Sequence, residues 1–244
     1  MRKLVYLFIL GCVVTGFFGC FSCDQDFIDY DASNLSKLVI SGQTLFAASG
    51  SDLVTFDVSD SSLPLERRRQ TFDFNPRNLV GNEDFVFLRS FDGWRGYNLE
   101  TNNLETHPIS VQDFCPNGGI ALHEMLLINI NSLCSIRAEE LGIGVYNIDD
   151  LNSIVLRDFI ALPNPQAVLV DGPWLFVSSA TLGLSVYDIS VSPPVLKQLL
   201  PDFSGGELSH TEGKLLLVDV DQLHQFEYNI ANDTIGFLST INFN

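Results

Sequence analysis

Four histidines, His107, His123, His210 and His224, are the natural first candidates for metal or acid–base chemistry. No two of them share the i, i+4 or short-loop spacing that places two imidazoles on one metal. The chain has no G-x-S-x-G elbow and no phosphate-cradling P-loop. "GIG" at 142–144 leads into an apolar strand pattern rather than a helix, so a dinucleotide reading fails. Carboxylates are abundant, and any one pair, such as Asp92 with Glu139, would be an arbitrary choice for acid–base work. No catalytic residue, cofactor-binding set or metal site is therefore assigned. Two groupings could still bind. "RSFDGWRG" brings Arg89, Trp94 and Arg95 into one stretch, and an aromatic flanked by guanidinium groups suits a sugar, a peptide or an anion. The alternative is that Trp94 packs inside the fold. "NPRN", "CPNGG", "NPQA" and "GGEL" supply Arg77, Asn117, Gln166 and Glu207 at matching points along the chain, where four polar groups could surround a small ligand or only water.

Those matching points exist because the chain repeats itself. The words "LVTFDV", "WRGYNL", "IGVYNI", "LSVYDI" and "QFEYNI" each place an aromatic before Asp or Asn. The aromatics are Phe56, Tyr97, Tyr146, Tyr187 and Tyr228, at intervals of 41, 49, 41 and 41 residues. A fixed period of this kind marks a repeat architecture. Each unit reads as a short apolar strand, a tight turn, a more apolar strand, a loop, the aromatic–acid strand, a turn and a fourth strand. Four strands in roughly 41 residues is the period of a propeller blade. Helical repeats would need a 3.6-residue periodicity that is missing. The expected fold is all-β, a five-bladed β-propeller of four-stranded antiparallel blades over residues 37–244. Strand alternation puts the loops between strands two and three on the same face as the connections between blades. The eight extra residues of the 49-residue interval fall in one of those loops, "NSLCSIRAEELG".

Residues 167–199, "AVLVDGPWLFVSSATLGLSVYDISVSPPVLKQL", carry a family resemblance. Asp171–Gly172, Leu182–Gly183–Leu184, Tyr187–Asp188–Ile189–Ser190 and Pro193–Pro194 resemble the unit of the bacterial LVIVD-repeat family. The first repeat resembles it less fully through "SDLVTFDVSDSSLP". In repeats two, three and five, Asn98, Asn147 and Asn229 replace the Asp and the Ser-Pro turn is lost. The resemblance implies a β-propeller, often exported or at a cell surface, with no general activity.

The N-terminus points to the same compartment. Arg2 and Lys3 precede the apolar run "LVYLFILGCVVTGFF", and "FFGC" follows. This resembles a bacterial lipoprotein signal peptide over residues 1–19 with Cys20 acylated; Cys12, in "ILGC", is the alternative, and an uncleaved anchor is a further one. Residues 20–36, with Asp24, Asp26, Asp29 and Asp31, read as an acidic tether, which resembles that of surface-exported lipoproteins, or as a plain solvated linker. Loss of residues 1–19, which carry Arg2 and Lys3 and no acid, would take the formal charge from −17 to −19. Such a surface is unsuited to nucleic acid, whose phosphates demand a basic one. Export also exposes thiols to oxidation. Cys115 and Cys134 fall in two loops on one face of the third blade, so a Cys115–Cys134 disulfide is expected. Together these features describe a lipid-anchored propeller of the bacterial cell envelope, at the outer membrane on its periplasmic or surface side. Its expected role is a non-catalytic interaction or structural module with an envelope protein or glycan as partner. The competing reading is a sugar binder or glycoside hydrolase working at the channel mouth.

Overall fold

The computed structural model describes residues 38–60, 63–76, 78–81, 85–90, 93–99, 101, 103–104, 119–131, 141–151, 153–211 and 213–243. Among the described residues twenty strands form five four-stranded antiparallel sheets, each built from strands consecutive in sequence. Blade one holds β1 (Leu38–Ser41), β2 (Thr44–Ser49), β3 (Asp52–Asp57) and β4 (Leu65–Thr71). Blade two holds β5 (Asn78–Gly81), β6 (Phe85–Ser90), β7 (Gly93–Asn98) and β8 (Asn103–Leu104). Blade three holds β9 (Ile120–His123), β10 (Leu126–Asn131), β11 (Gly142–Asn147) and β12 (Val155–Ala161). Blade four holds β13 (Pro165–Asp171), β14 (Trp174–Ser179), β15 (Gly183–Asp188) and β16 (Val195–Leu200). Blade five holds β17 (Glu207–Thr211), β18 (Lys214–Val218), β19 (Gln222–Asn229) and β20 (Thr234–Asn242). The first strands of successive blades approach one another, β1 to β5, β5 to β9, β9 to β13 and β13 to β17. This is the five-bladed β-propeller that the repeat predicts.

The aromatic–acid word does two separate jobs. Its aromatic packs against the preceding blade: Tyr97 joins the core shared by blades one and two, Tyr146 that of two and three, and Tyr187 that of three and four. A β-bulge lies just before the aromatic in blades one, three and four, at Thr55/Phe56, Val145/Tyr146 and Val186/Tyr187. The acid or amide closes the next turn. Asp57 Oδ1 accepts the Ser59 amide at 2.8 Å, Asp188 Oδ1 the Ser190 amide at 3.0 Å, and Asn98 Oδ1 the Thr101 amide at 2.8 Å. Asp and Asn serve equally, because the job needs only a short side-chain acceptor.

The fifth repeat departs from the sequence register. Its bulge lies at Gln225/Phe226, and Phe226 pairs with Leu215 as Tyr187 pairs with Leu175. By register Phe226 rather than Tyr228 takes the place of Tyr187, and both rings pack into the core shared with blade four. The reason is length: β19 is two residues longer than β15, so the turn acceptor Asn229 lies three residues past Phe226 where Asp188 lies one past Tyr187. Asn229 still accepts a turn amide, that of Asn232 at 3.1 Å, so the word marks the turn while the packing position lies earlier.

Four hydrophobic clusters fill the four junctions from blades one–two to blades four–five. In the middle of the array both faces of a sheet are covered, and all six residues of β14 are buried in succession. The outer strand of blade one, "LERRRQT", is instead a charged edge. Arg67 pairs with Asp57, Arg69 pairs with Asp52 at 3.0 Å and Glu66 at 2.9 Å, and Arg68 lies over the Tyr97 ring. Paired charges on an edge strand discourage another strand from adding to it.

Phe176 is 0% exposed within the core shared by blades four and five. Phe176→Ala is expected to lower unfolding stability by about 3–5 kcal/mol, read as a fall in the urea midpoint. Val220, 96% exposed, serves as the control, since its replacement by Ala should change stability by no more than about 0.5 kcal/mol.

Candidate functional site

Of the candidates in "RSFDGWRG", Arg89 and Trp94 are directly paired on one face of blade two and Arg95 is on the other. Trp94 and Arg95 are neighbours on β7, and alternation along a strand sends them to opposite faces of blade two. Trp94, 1% exposed, packs into the core against blade three. Arg95 turns the other way, its guanidinium 4.4 Å from the Phe74 ring centroid and 3.9 Å from Asp73. Arg89 lies opposite Trp94 on β6 and is half-buried. Trp94 is thus a packing residue rather than an exposed platform, which is the alternative that the sequence left open.

At the connection into blade five, Gln166 works as a clasp. Its Oε1 accepts the Gly206 amide at 3.1 Å, while Ser178 Oγ donates to the Gly206 carbonyl at 3.0 Å and accepts the Ala167 amide at 3.1 Å. Gly206 has φ +83°, and a Cβ there would lie 1.8 Å from the Val218 carbonyl oxygen, so the clasp requires glycine. Glu207 is exposed beside it at the start of β17. Arg77, Asn117, Cys115, Cys134 and Cys20 lie outside the described residues, as does any Cys115–Cys134 bond.

One polar cluster escaped the sequence reading. Tyr228 donates its hydroxyl to Asp171 Oδ2, and His210 Nδ1 stands 3.3 Å from the Tyr228 oxygen and 3.6 Å from Asp171 Oδ2. The group bridges blades four and five at the end where strands one and two turn. Burial, with the Asp171 carboxylate beside it, pushes the Tyr228 phenol well above its ordinary value. The phenol therefore stays protonated and acts as a donor that clamps two blades, not as a base. The available signal was His210 itself, at a position where the other first strands carry Ile40, Gly81, Leu122 and Val170.

The feature that best fits a binding surface lies at the junction of blades two and three. Trp94 Nε1 and Asn131 Nδ2 are buried donors without a hydrogen-bond partner. Trp94 follows the loop into β7, and Asn131 is the last residue of β10, so both stand at the loop face. Register places Asn131 on the side of blade three that carries Leu127 and Tyr146, towards blade two. The two longest connections between described strands are residues 105–119, which lead into β9, and residues 132–141, which join β10 to β11. A buried N–H left unpaired costs about 1–3 kcal/mol, and an acceptor arriving from a partner recovers it. Among the described residues no group of three or more His, Cys, Asp or Glu side chains could hold a metal ion.

No protein-family model matches the chain, and no curated protein matches it in sequence. Solved structures match it in fold. The β-propeller domain of Myceliophteria thermophila Cps50 (Swd1) superposes with a TM-score of 0.61 at 12% identity, covering 84% of this chain and 70% of that one. Kluyveromyces lactis Hsv2 gives 0.56 at 19% identity, over 80% of this chain and 62% of that one. Apo AztD from Citrobacter koseri gives 0.53 at 15% identity, over 82% and 60%. The chain thus spans between 60% and 70% of the length of these propellers. The likeness establishes the β-propeller architecture.

The raised Tyr228 phenol has a pH consequence. In the unfolded chain a tyrosine deprotonates near pH 10, whereas folded Tyr228 holds its proton to higher pH. The stability it contributes is complete below pH 10 and is lost as pH climbs towards the folded value. Tyr228→Phe should therefore flatten the alkaline fall in stability above about pH 10 relative to wild type. Parallel stability–pH curves for the two proteins would contradict the clamp.

Proposed function

We propose that this protein is a non-catalytic propeller of the bacterial cell envelope, held by lipid on Cys20, that offers its loop face to a protein or glycan partner. The observation that carries the reading is the pair of buried, unpaired donors on Trp94 and Asn131, at the loop-face ends of β7 and β10. Carbonyl, carboxylate and sugar hydroxyl oxygens are the acceptors that would satisfy them. Insertions in repeat proteins gather on the face that does the binding. The packed blade junctions beneath supply the rigidity that lowers the ordering cost of an interface. The envelope location rests on the signal-peptide pattern ending at Cys20 and on the resemblance to LVIVD-repeat proteins carried by residues 167–199.

Trp94→Phe removes the unpaired N–H together with part of the buried ring, so the fold should be retained with a loss of about 1–3 kcal/mol in stability. Capture of the envelope partner by the full chain should fall roughly three- to tenfold, the worth of one hydrogen bond. Unchanged capture would contradict the site. Cys20→Ser should abolish incorporation of a labelled fatty acid and release the chain from the membrane fraction. Retained label, or label lost only in Cys12→Ser, would contradict the anchor.

A further inference from the structure

The junction of blades two and three is polar at its loop-face end, where the other blades are apolar or small. Register places Trp94 where blades one, three, four and five carry Leu53, Ile143, Leu184 and Leu223. Arg89, directly across from Trp94, stands where they carry Ala48, Ile130, Ser178 and Val218. On the facing side of blade three, buried Asn129 occupies the place of Ala47, Leu88, Val177 and Leu217 in the other blades. Gly144 pairs with Asn129, and a Cβ there would lie 2.6 Å from the Tyr146 hydroxyl oxygen, so glycine lets the phenol tip lie over the same row. Aliphatic residues at these places fill the cores of the other junctions. Packing alone therefore does not call for the polar set.

Two donors in this set, Trp94 Nε1 and Asn131 Nδ2, are buried and unpaired. Trp94 is the second residue of β7 and Asn131 the last of β10, so both lie at strand ends on the loop face. N–H donors on both sides of one junction, with a guanidinium directly across from one of them, suit an anion that offers two oxygens. Arg89 already makes an interaction of its own. A guanidinium carries five N–H donors in a planar fork, however, so it can bond a carboxylate and keep the partner it has. A neutral carbonyl would satisfy the two neutral donors but make no use of the Arg89 charge.

Taking the loop face as the binding surface, as above, we propose that this niche receives a carboxylate of a polypeptide partner, an Asp or Glu side chain or a chain end. Width decides against an acidic sugar. Trp94 is 1% and Asn131 2% exposed, which suits a slender side chain entering between two blades and not a pyranose ring with its hydroxyl groups. Overall charge does not bring the partner in, since a formal net charge of −17 opposes an acidic molecule. That field is screened beyond about 8–10 Å in physiological salt, whereas the hydrogen bonds of the niche act at contact. Recognition is therefore local, set by three side chains on two blades.

The chain has two tryptophans, Trp94 and Trp174, so the indole N–H region of a nitrogen-15 spectrum of the full chain has one reporter in the niche and one in the core of blades four and five. The probe is N-acetyl-glutamate N-methylamide, titrated to its solubility limit beside its glutamine counterpart and glucuronate. The expected result is a saturating shift of the Trp94 signal with the glutamate probe, binding of the glutamine probe weaker by roughly tenfold or more, and a Trp174 signal that does not move. Arg89→Gln should weaken the glutamate probe by a similar factor and leave the glutamine probe unchanged, and Asn131→Leu should weaken both. The Trp174 signal reports that each variant is folded. Equal affinity for the glutamate and glutamine probes would overturn the carboxylate assignment. Tighter binding of glucuronate than of glutamate would overturn it in favour of an acidic glycan. A Trp94 signal that no probe moves would also overturn it; if Trp94→Phe still lowered capture of the envelope partner, the loop-face reading would stand and only the carboxylate niche would fall.

Discussion

A four-stranded sheet with apolar side chains on both faces cannot stand alone in water, and this constraint organises the whole molecule. Each blade must find a neighbour for each face. Uninterrupted burial along β14 is the direct result: alternate residues belong to opposite faces, and both faces are covered. β18 in blade five shows the contrary pattern, with Leu215 and Leu217 buried and the residues between and beside them less so. One covered face gives alternation and two give continuity, so burial along the second strand reports how many neighbours a blade has.

The repeat persists because two demands recur at one point in the unit, the turn acceptor being formed in blades one, two, four and five. A large ring must fill the gap towards the preceding sheet, and a short acceptor must close the next turn. The ring is Phe in blades one and five and Tyr in the others. The acceptor is Asp or Asn without distinction. Sequence drift is free within these chemical classes, which is how the blades diverged while the architecture held. The polar links between blades four and five are more particular. The Gln166–Gly206 clasp and the Tyr228–Asp171–His210 clamp secure the two ends of the same junction.

Much of this was legible in the order of residues, because a propeller writes its period along the chain. Strand order, turn positions and the insertion in blade three all followed from the spacing of five words. The direction of individual side chains did not. Trp94 and Arg95 look like one binding motif when read as neighbours, yet strand parity alone separates them onto opposite faces. The fifth word is matched at Tyr228, whereas the packing position at Phe226 is visible only through cross-strand register. Trp94 and Asn131 could not be paired from sequence, since their relation depends on how blade two meets blade three.

If shared blade faces carry the stability, the blades should not open one at a time. Native-state hydrogen exchange across a denaturant series measures this directly. The account predicts that the amides of β10, β11, β14 and β15 converge on a single opening free energy equal to that of global unfolding, since each depends on its neighbour for cover. Separate, well-spaced opening energies for blades three and four would show that each sheet is stable in its own right, and would contradict the account.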